Sequence, residues 1–335
     1  MASNKNREIL IKTGWTALKV ALVAVVVIVF TSKANNYYFT IVNSALIYVI
    51  AALSLSLLLG MGGMMSFATV TFMGIGAYAT ANLSKVLHVP TSLSILLAVL
   101  ISALIAFLIA ILLTRLKGSY FAFASIGLAQ ISYAIFLNFK PLTGGPNGFS
   151  NVPKLIIAGI EFDNLKKWFY LLLIIVFLAA LSLERIRRTT LGRSLAAIRD
   201  NEIAAQSLGI DIYSTKIITF VIASVYGSIA GALIAHMNTY LSAYLFTFDI
   251  SVSFLIMVML GGVNSTTGAI LGALLVTLIP EWFRVLQSYM KLIYGISIVA
   301  LMIFMPSGLT GIIDSIKYKV DMEKKKKRNK DYSNG

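Results

Sequence analysis

The chain has 335 residues, 58% hydrophobic and 12% charged, with a mean hydropathy of +0.87, more apolar side chain than a water-soluble fold of this length can hide. It has no cysteine, which excludes disulfides and thiolate metal sites, and its two histidines, His88 and His236, are too few and too far apart in sequence to suggest zinc. A formal net charge of +15 would suggest nucleic acid in a soluble protein, but in a membrane protein it reflects Lys and Arg collecting in cytoplasmic loops, so no nucleic-acid partner is expected.

In chain order, the apolar runs are continuous rather than alternating and each is about 16–24 residues long, the length of a bilayer-spanning helix and not of a barrel strand. Lipid offers no hydrogen bonds to the backbone, so the predicted fold is an all-α, polytopic transmembrane helix bundle. About ten spans are expected, near 15–31, 38–60, 64–84, 91–114, 118–138, 167–183, 216–235, 249–264, 267–283 and 290–305. The region 249–283 reads either as two short spans meeting at Gly261-Gly262 or as a partly re-entrant pair. The first span has a basic start, an apolar run from Trp15 to Phe30 and a small-x-small triplet at Ser32-Lys33-Ala34. Its apolar run is longer than a typical signal core, so a retained anchor is expected.

With the N-terminus in the cytoplasm, 19 Lys and Arg fall inside and 8 outside, which predicts that both termini are cytoplasmic. The expected organisation is a cytoplasmic N-terminus over 1–14, a transmembrane domain over 15–312, and a basic tail over 313–335. The transmembrane domain includes an external loop at 139–166 and a cytoplasmic loop at 184–216. The tail's charge run lacks apolar periodicity, so it is expected to be disordered and to adhere to anionic membrane lipid, at about 1 kcal/mol per basic residue.

Polar residues within the predicted spans are few. Asn43, Thr71, Asn82, Gln130, Ser132 and Asn138 are candidates to line a path for a neutral or zwitterionic solute, and each would serve equally as a helix–helix hydrogen bond. Asp249 is read as an interfacial acid and His236 as a solvated loop residue. Gly74, Ala77 and Ala81 form a small stripe that lets helices approach closely, and Gly60, Gly62 and Gly63 mark a helix break or a turn. Thr143-Gly144-Gly145-Pro146-Asn147-Gly148 reads as a tight turn rich in backbone N–H groups, structural or in contact with a binding protein. The phosphate loop G-x-x-x-x-G-K-[ST], G-x-S-x-G and H-E-x-x-H do not occur, so no enzyme, cofactor or metal is expected and any ATP coupling must come from a partner.

The hydrophilic stretch from Glu184 to Lys216 predicts a short helix over 202–208. Asp200 or Asn201 caps it, Glu202 favours the positive end of its dipole, and Gly209 stops it. Two turns cannot persist alone in water, so packing must hold them. Ala204 and Ala205 offer a slim surface suited to a groove, and the plainer reading is a linker helix on the membrane surface.

The run Gly192-Arg193-Ser194-Leu195, Ile198-Arg199-Asp200-Asn201-Glu202-Ile203-Ala204-Ala205, Leu208-Gly209-Ile210 resembles the Glu-Ala-Ala loop of ABC importer permeases, and more narrowly the branched-chain amino acid permease family. Four other stretches are similar to that family in the right order across roughly residues 40–312. They are Ser66-Phe67 with Phe72-Met73-Gly74-Ile75-Gly76-Ala77-Tyr78; Leu116-Lys117-Gly118-Ser119-Tyr120-Phe121-Ala122; Leu142 to Gly148; and Leu260-Gly261-Gly262 through Gly268 to Gly272-Ala273, followed by Pro306-Ser307-Gly308-Leu309.

The resemblance implies a permease subunit of an ATP-binding-cassette importer in the bacterial plasma (inner) membrane, moving leucine, isoleucine and valine. Its partners would be a second, related permease chain, two ATP-binding subunits and an extracytoplasmic solute-binding protein. Gly192, Arg193, Arg199, Asp200, Glu202, Ala204, Ala205 and Gly209 would belong to the coupling helix and its flanks. Asn43, Ser66, Phe67, Thr71, Tyr78, Gln130 and Asn138 would line the pathway, and Thr143, Gly144, Gly145, Asn147 and Gly148 would form the external loop. A permease for urea or short amides and an ion-coupled secondary transporter are the alternatives. The second lacks the mid-span ionisable groups such proteins use.

Overall fold

A computed structural model describes residues 35–282. In chain order these form α1 (Asn36–Leu55), which continues into a wide π turn (Ser56–Met61), α2 (Thr69–Lys85), α3 (Thr91–Leu113) and α4 (Ser119–Asn138). A helical turn (Lys140–Thr143) and a 3-10 turn (Gly145–Asn147) lead to an antiparallel hairpin of β1 (Ile156–Ile157) and β2 (Ile160–Glu161), in which Ile156 faces Glu161 and Ile157 faces Ile160. Then come α5 (Leu165–Arg188), α6 (Thr190–Asp200), α7 (Glu202–Ser207), α8 (Ile212–Asn238), a 3-10 turn (Ala243–Phe246), α9 (Phe248–Gly261) and α10 (Thr266–Trp282). The chain divides into two compact units, Met1–Ile41 and Val42–Gly335. Of the first, only the opening of α1 is described; everything below concerns the second.

The all-α expectation holds. Among the described residues five helices are long and apolar enough to cross a membrane: α1 with its π turn, α3, α4, α5 and α8. α8 and α1 are buried along most of their length, whereas α3 and α5 expose most of theirs. On α3 the inward residues Ser94, Ala98, Ser102, Ala106 and Ala110 are small and spaced by four, while Leu100, Leu104, Leu108 and Leu112 point outward. Lipid tails solvate leucine as well as a protein interior does, so close helix contact falls to small residues. The α2–α8 crossing follows the same rule: a Cβ on Gly76 would overlap Ser228, and one on Gly231 would overlap the Met73 carbonyl. The predicted stripe of Gly74, Ala77 and Ala81 omits both glycines.

Three expectations change. The span predicted at 64–84 begins only at Thr69, because the chain leaves the π turn at Gly62 and stays non-helical through Ala68. Gly63 sits at φ +64°, where a Cβ would press on Arg199, and a Cβ on Gly60 would overlap the Val263 carbonyl. Side chains satisfy the freed backbone: Phe67 N donates to Ser125 Oγ at 3.0 Å, and Ser251 Oγ donates to Phe67 O at 2.8 Å. Non-helical backbone inside a helix bundle survives only with such partners.

Second, 249–283 resolves as a pair of short helices. The 14 residues of α9 rise about 21 Å against a hydrocarbon core of about 30 Å. α9 and α10 pack through Gly261, Gly268 and Gly272, whose Cβ positions are occupied by backbone of the opposite helix. Third, His236 is no solvated loop residue: it is 1% exposed near the end of α8. Its Nδ1 donates to the Pro153 carbonyl at 2.7 Å, which leaves Nε2 to accept from the Thr80 hydroxyl at 2.9 Å. The predicted spans 15–31 and 290–305, the retained-anchor reading, Pro306-Ser307-Gly308-Leu309 and the tail lie outside the described residues.

Candidate functional site

At one end of the bundle, α6 and α7 carry the loop from 184 to 211. Asn201 is the cap that the sequence left open against Asp200: its Oδ1 accepts from Ala204 N at 3.0 Å. The helix ends at Ser207, and Gly209 at φ +81° turns the chain back, with open space where a Cβ would stand, so glycine is needed there for its backbone angle. Glu202 does more than favour the helix start. It accepts from Lys216 Nζ at 2.8 Å, with the Lys216 side chain only 9% exposed, which ties α7 to the base of α8. Asp211 caps α8, accepting from Ser214 N at 3.1 Å and from Ser214 Oγ at 2.6 Å, and the Ser214 hydroxyl holds its carboxyl below the usual range.

The face that α7 presents differs from the expected one. Ala205 is 1% exposed and packs inward, so it is no part of an outward slim surface; Ala204 is exposed. The outward side chains are Ile203, 79% exposed, and Leu208, 80% exposed. Both stand within the family-like run of the sequence, where neither was given a role. The readable signal was Ile203 and Leu208 set among Asp200, Asn201, Glu202, Gln206 and Ser207.

The remaining predicted residues of this loop have defined places. Gly192 packs against the Ile186 and Arg187 carbonyls, and Arg193 donates to the Arg188 carbonyl at 3.0 Å. Arg199 reaches furthest. Its Nη1 donates to the Gly60 carbonyl at 2.7 Å and to Asn264 Oδ1 at 2.5 Å, while its Nε and Nη2 donate to Asp200. Arg187 Nη1 donates to the Asn264 carbonyl at 2.6 Å. These two arginines fasten the α7 loop to the end of the π turn and to the α9–α10 turn. A cleft of about 250 Å³ opens beside them, lined by Gly62, Gly63, Leu116, Arg199, Glu202 and Lys216 among others.

Within the bundle, α2 and α4 form a seam. Thr71, Gly74 and Tyr78 lie within about 60° on one side of α2, opposite the Thr69, Met73 and Gly76 side that meets α8. Facing them, Ser125, Ala129, Ser132 and Phe136 share the buried side of α4. The Phe136 ring rests on Gly74 and packs against Tyr78 with centroids 5.2 Å apart. Thr71 Oγ1 and Tyr78 OH are buried without a hydrogen-bond partner among the described residues, a state that costs about 1–3 kcal/mol per group unless something else satisfies it. Ser66 and Phe67 lie in the non-helical segment leading to α2, Ser66 Oγ accepting from Ala68 N at 3.2 Å.

Not every predicted pathway residue reaches this seam. Gln130 and Asn138 are exposed on the other side of α4, and Asn138 donates to its own helix at Ala134 O. Asn43 is buried but pins α1 to the start of α5 through Leu165 O at 2.9 Å. Asn82 donates to Tyr78 O and Leu142 O, each at 2.7 Å, and Ser132 donates to Leu128 O.

At the opposite end, Thr143 Oγ1 accepts from Gly145 N at 3.1 Å and donates to Phe139 O at 2.9 Å. Gly144, Gly145 and Gly148 all have positive φ, and Gly148 sits so close to Leu241 O and the Tyr240 ring that no side chain fits. The Asn147 carbonyl accepts from Tyr240 OH at 3.3 Å, and Phe149 pairs with Leu241. The turn is thereby locked to the segment following α8.

The sequence matches the family described as "Branched-chain amino acid transport system / permease component" over residues 37–305. It is 32% identical over 292 residues to "High-affinity branched-chain amino acid transport system permease protein LivM" of Salmonella typhimurium, and equally to the protein of that name from Escherichia coli. In each case 80% of this chain and 69% of the relative are covered. No solved structure matches the chain significantly.

Proposed function

This chain belongs to the branched-chain amino acid transport permease family, a multi-pass membrane component of a transport system and not an enzyme, and from that premise we propose that it is one permease subunit of an ATP-binding-cassette importer for leucine, isoleucine and valine. The observation that carries this reading is α7. A six-residue helix has no stability of its own, yet here a cap, a part-buried ion pair and a left-handed glycine hold it in place. It presents Ile203 and Leu208 outward, as a helix would that docks into a groove on an ATP-hydrolysing subunit. Arg199 and Arg187 give that docking a mechanical route to the helix break before α2 and to the α9–α10 turn.

The full assembly in this reading comprises a second permease chain, two ATP-binding subunits and a binding protein that delivers solute at the 139–166 end. The chain lies in the bacterial plasma membrane with about ten spans and both termini in the cytoplasm, and its basic tail rests on anionic lipid. Lys216, paired with Glu202 at the α7 end, is the one buried residue among the Lys, Arg, Asp and Glu of the described residues, which suits a solute of no net charge. The test is uptake by the complex reconstituted in proteoliposomes. Leucine should accumulate only with internal ATP and external binding protein. Accumulation driven by a proton or sodium gradient, with ATPase subunits omitted, would refute the proposal.

A further inference from the structure

The α2–α4 seam is closed by aromatic rings at both ends. Toward the 139–148 turn, Tyr78, Phe136 and Phe246 form a mutual triad with centroids 5.2, 5.8 and 5.8 Å apart, all three rings buried. They come from three elements: α2, α4 and the 3-10 turn before α9. At the other end, Phe67 packs against Phe248 at 5.4 Å, beside the non-helical segment held by the Ser125 and Ser251 hydroxyls. Between the closures the buried side of α4 is small, at Ala129 and Ser132, with Ser125 at the inner end and Gly74 of α2 under the Phe136 ring. Thr71 and Tyr78 stand on this side of α2 with their backbone positions two turns or about 10 Å apart, and their hydroxyls are buried and without a hydrogen-bond partner among the described residues. Buried polar groups are normally satisfied, and a pair left open on one face of a small-walled seam is suited to an arriving polar ligand.

We propose that this seam is the chamber that holds the solute in transit, with the Tyr78 and Thr71 hydroxyls binding the polar groups of a zwitterionic amino acid. The Tyr78–Phe136–Phe246 triad is its outer gate and Phe67–Phe248 its inner one. This rests on the permease reading above and adds to it the residues that touch the solute. The wall has no ionised side chain among the residues named, so hydroxyl dipoles meet the charged ends while Phe136 and Ala129 meet an aliphatic side chain.

The chain has no cysteine, so a single Thr71→Cys substitution reports on the chamber without background from this subunit. In proteoliposomes of the complete complex, a membrane-impermeant methanethiosulfonate reagent is added from the binding-protein side and modification of this subunit is followed by mass. Slow modification is expected with the triad intact, and at least tenfold faster modification with Phe136→Ala or with the milder Phe246→Leu. Leucine at millimolar concentration should slow modification in those variants. Adding Tyr78→Phe, which keeps the ring and removes the hydroxyl, should abolish that protection. Equal modification rates with and without either ring substitution would overturn the gate. Undiminished leucine protection in Tyr78→Phe would overturn the binding role. Neither outcome bears on whether the wild-type complex imports leucine with ATP, so failure here and failure of the permease reading are separable.

Discussion

Ala205 and Ile203 stand two residues apart on α7 and face opposite ways, so substitutions at them should fail differently. Ala205 is packed beneath the helix, where a larger side chain has no room. Ala205→Trp should lower the stability of the isolated subunit in detergent by about 1–3 kcal/mol, read as an earlier thermal transition with no ATPase subunit present. Ile203→Ala removes an exposed side chain and should leave that transition in place, while co-purification of the ATP-binding subunits falls. Asp211 makes a prediction in pH. Its carboxylate is stabilised in the folded state by Ser214, so its pKa lies below the unfolded value. The cap is therefore fully present above the usual carboxylate range and is lost as pH falls through the depressed folded value. Hydrogen-exchange protection of the first turn of α8 should stay constant through neutral pH and decline only in that acid window. Asp211→Asn, which can still cap, should flatten the decline.

At the scale of elements, glycine decides which helices touch. α9 and α10 are too short to cross a full hydrocarbon core, and their hairpin depends on Gly261, Gly268 and Gly272 placing backbone against backbone. A Cβ at Gly272 would overlap the Met257 carbonyl, with no flexible side chain there to move aside. Gly272→Val should push the two helices apart and destabilise the subunit by about 1–3 kcal/mol, seen as lost monodispersity and an earlier thermal transition. Gly127 on α4 is the internal control: a Cβ there meets nothing within 4 Å, so Gly127→Ala should be tolerated. Both residues are glycines in apolar helices, and sequence pattern alone ranks them equally. The distinction is one of neighbours.

For the molecule as a whole, the proposed function requires a solute path to be joined to an energy source at a distance. The α7 loop touches the π turn and the α9–α10 turn through Arg199 and Arg187, and the π turn leads directly into the non-helical segment at the inner end of the seam. Displacing α7 would strain those bonds first. Arg199→Lys keeps the charge but cannot span the Gly60 carbonyl, Asn264 and Asp200 with one planar fork. Its expected signature in the reconstituted complex is ATP hydrolysis near the wild-type rate with several-fold less leucine moved per ATP. Equal losses of both would assign Arg199 to docking alone.

The sequence by itself determined the fold class and the family. Apolar runs of bilayer length leave only helices, and five short motifs in order are more than chance supplies. It also determined the local devices of the loop around α7, Glu202 at the helix start and Gly209 at its end, because caps and left-handed turns are set by residues a few positions apart. It left the choice between Asp200 and Asn201 open, since either can supply the oxygen and only the backbone angle at the cap position decides. Which face of α7 turns outward, whether His236 is wet or buried, and which polar residues meet in one seam were decided only by tertiary structure. Thr71 and Gln130 look equivalent in an apolar run; the first faces Phe136's side of α4 and the second does not. In a bilayer nearly every side of a helix is apolar, so hydrophobic periodicity, the guide to orientation in a soluble protein, is almost silent. What orients these helices is the placement of small residues against particular backbone atoms, a matching between segments distant in the chain, Phe67 with Ser125 and with Ser251, that a single sequence does not display.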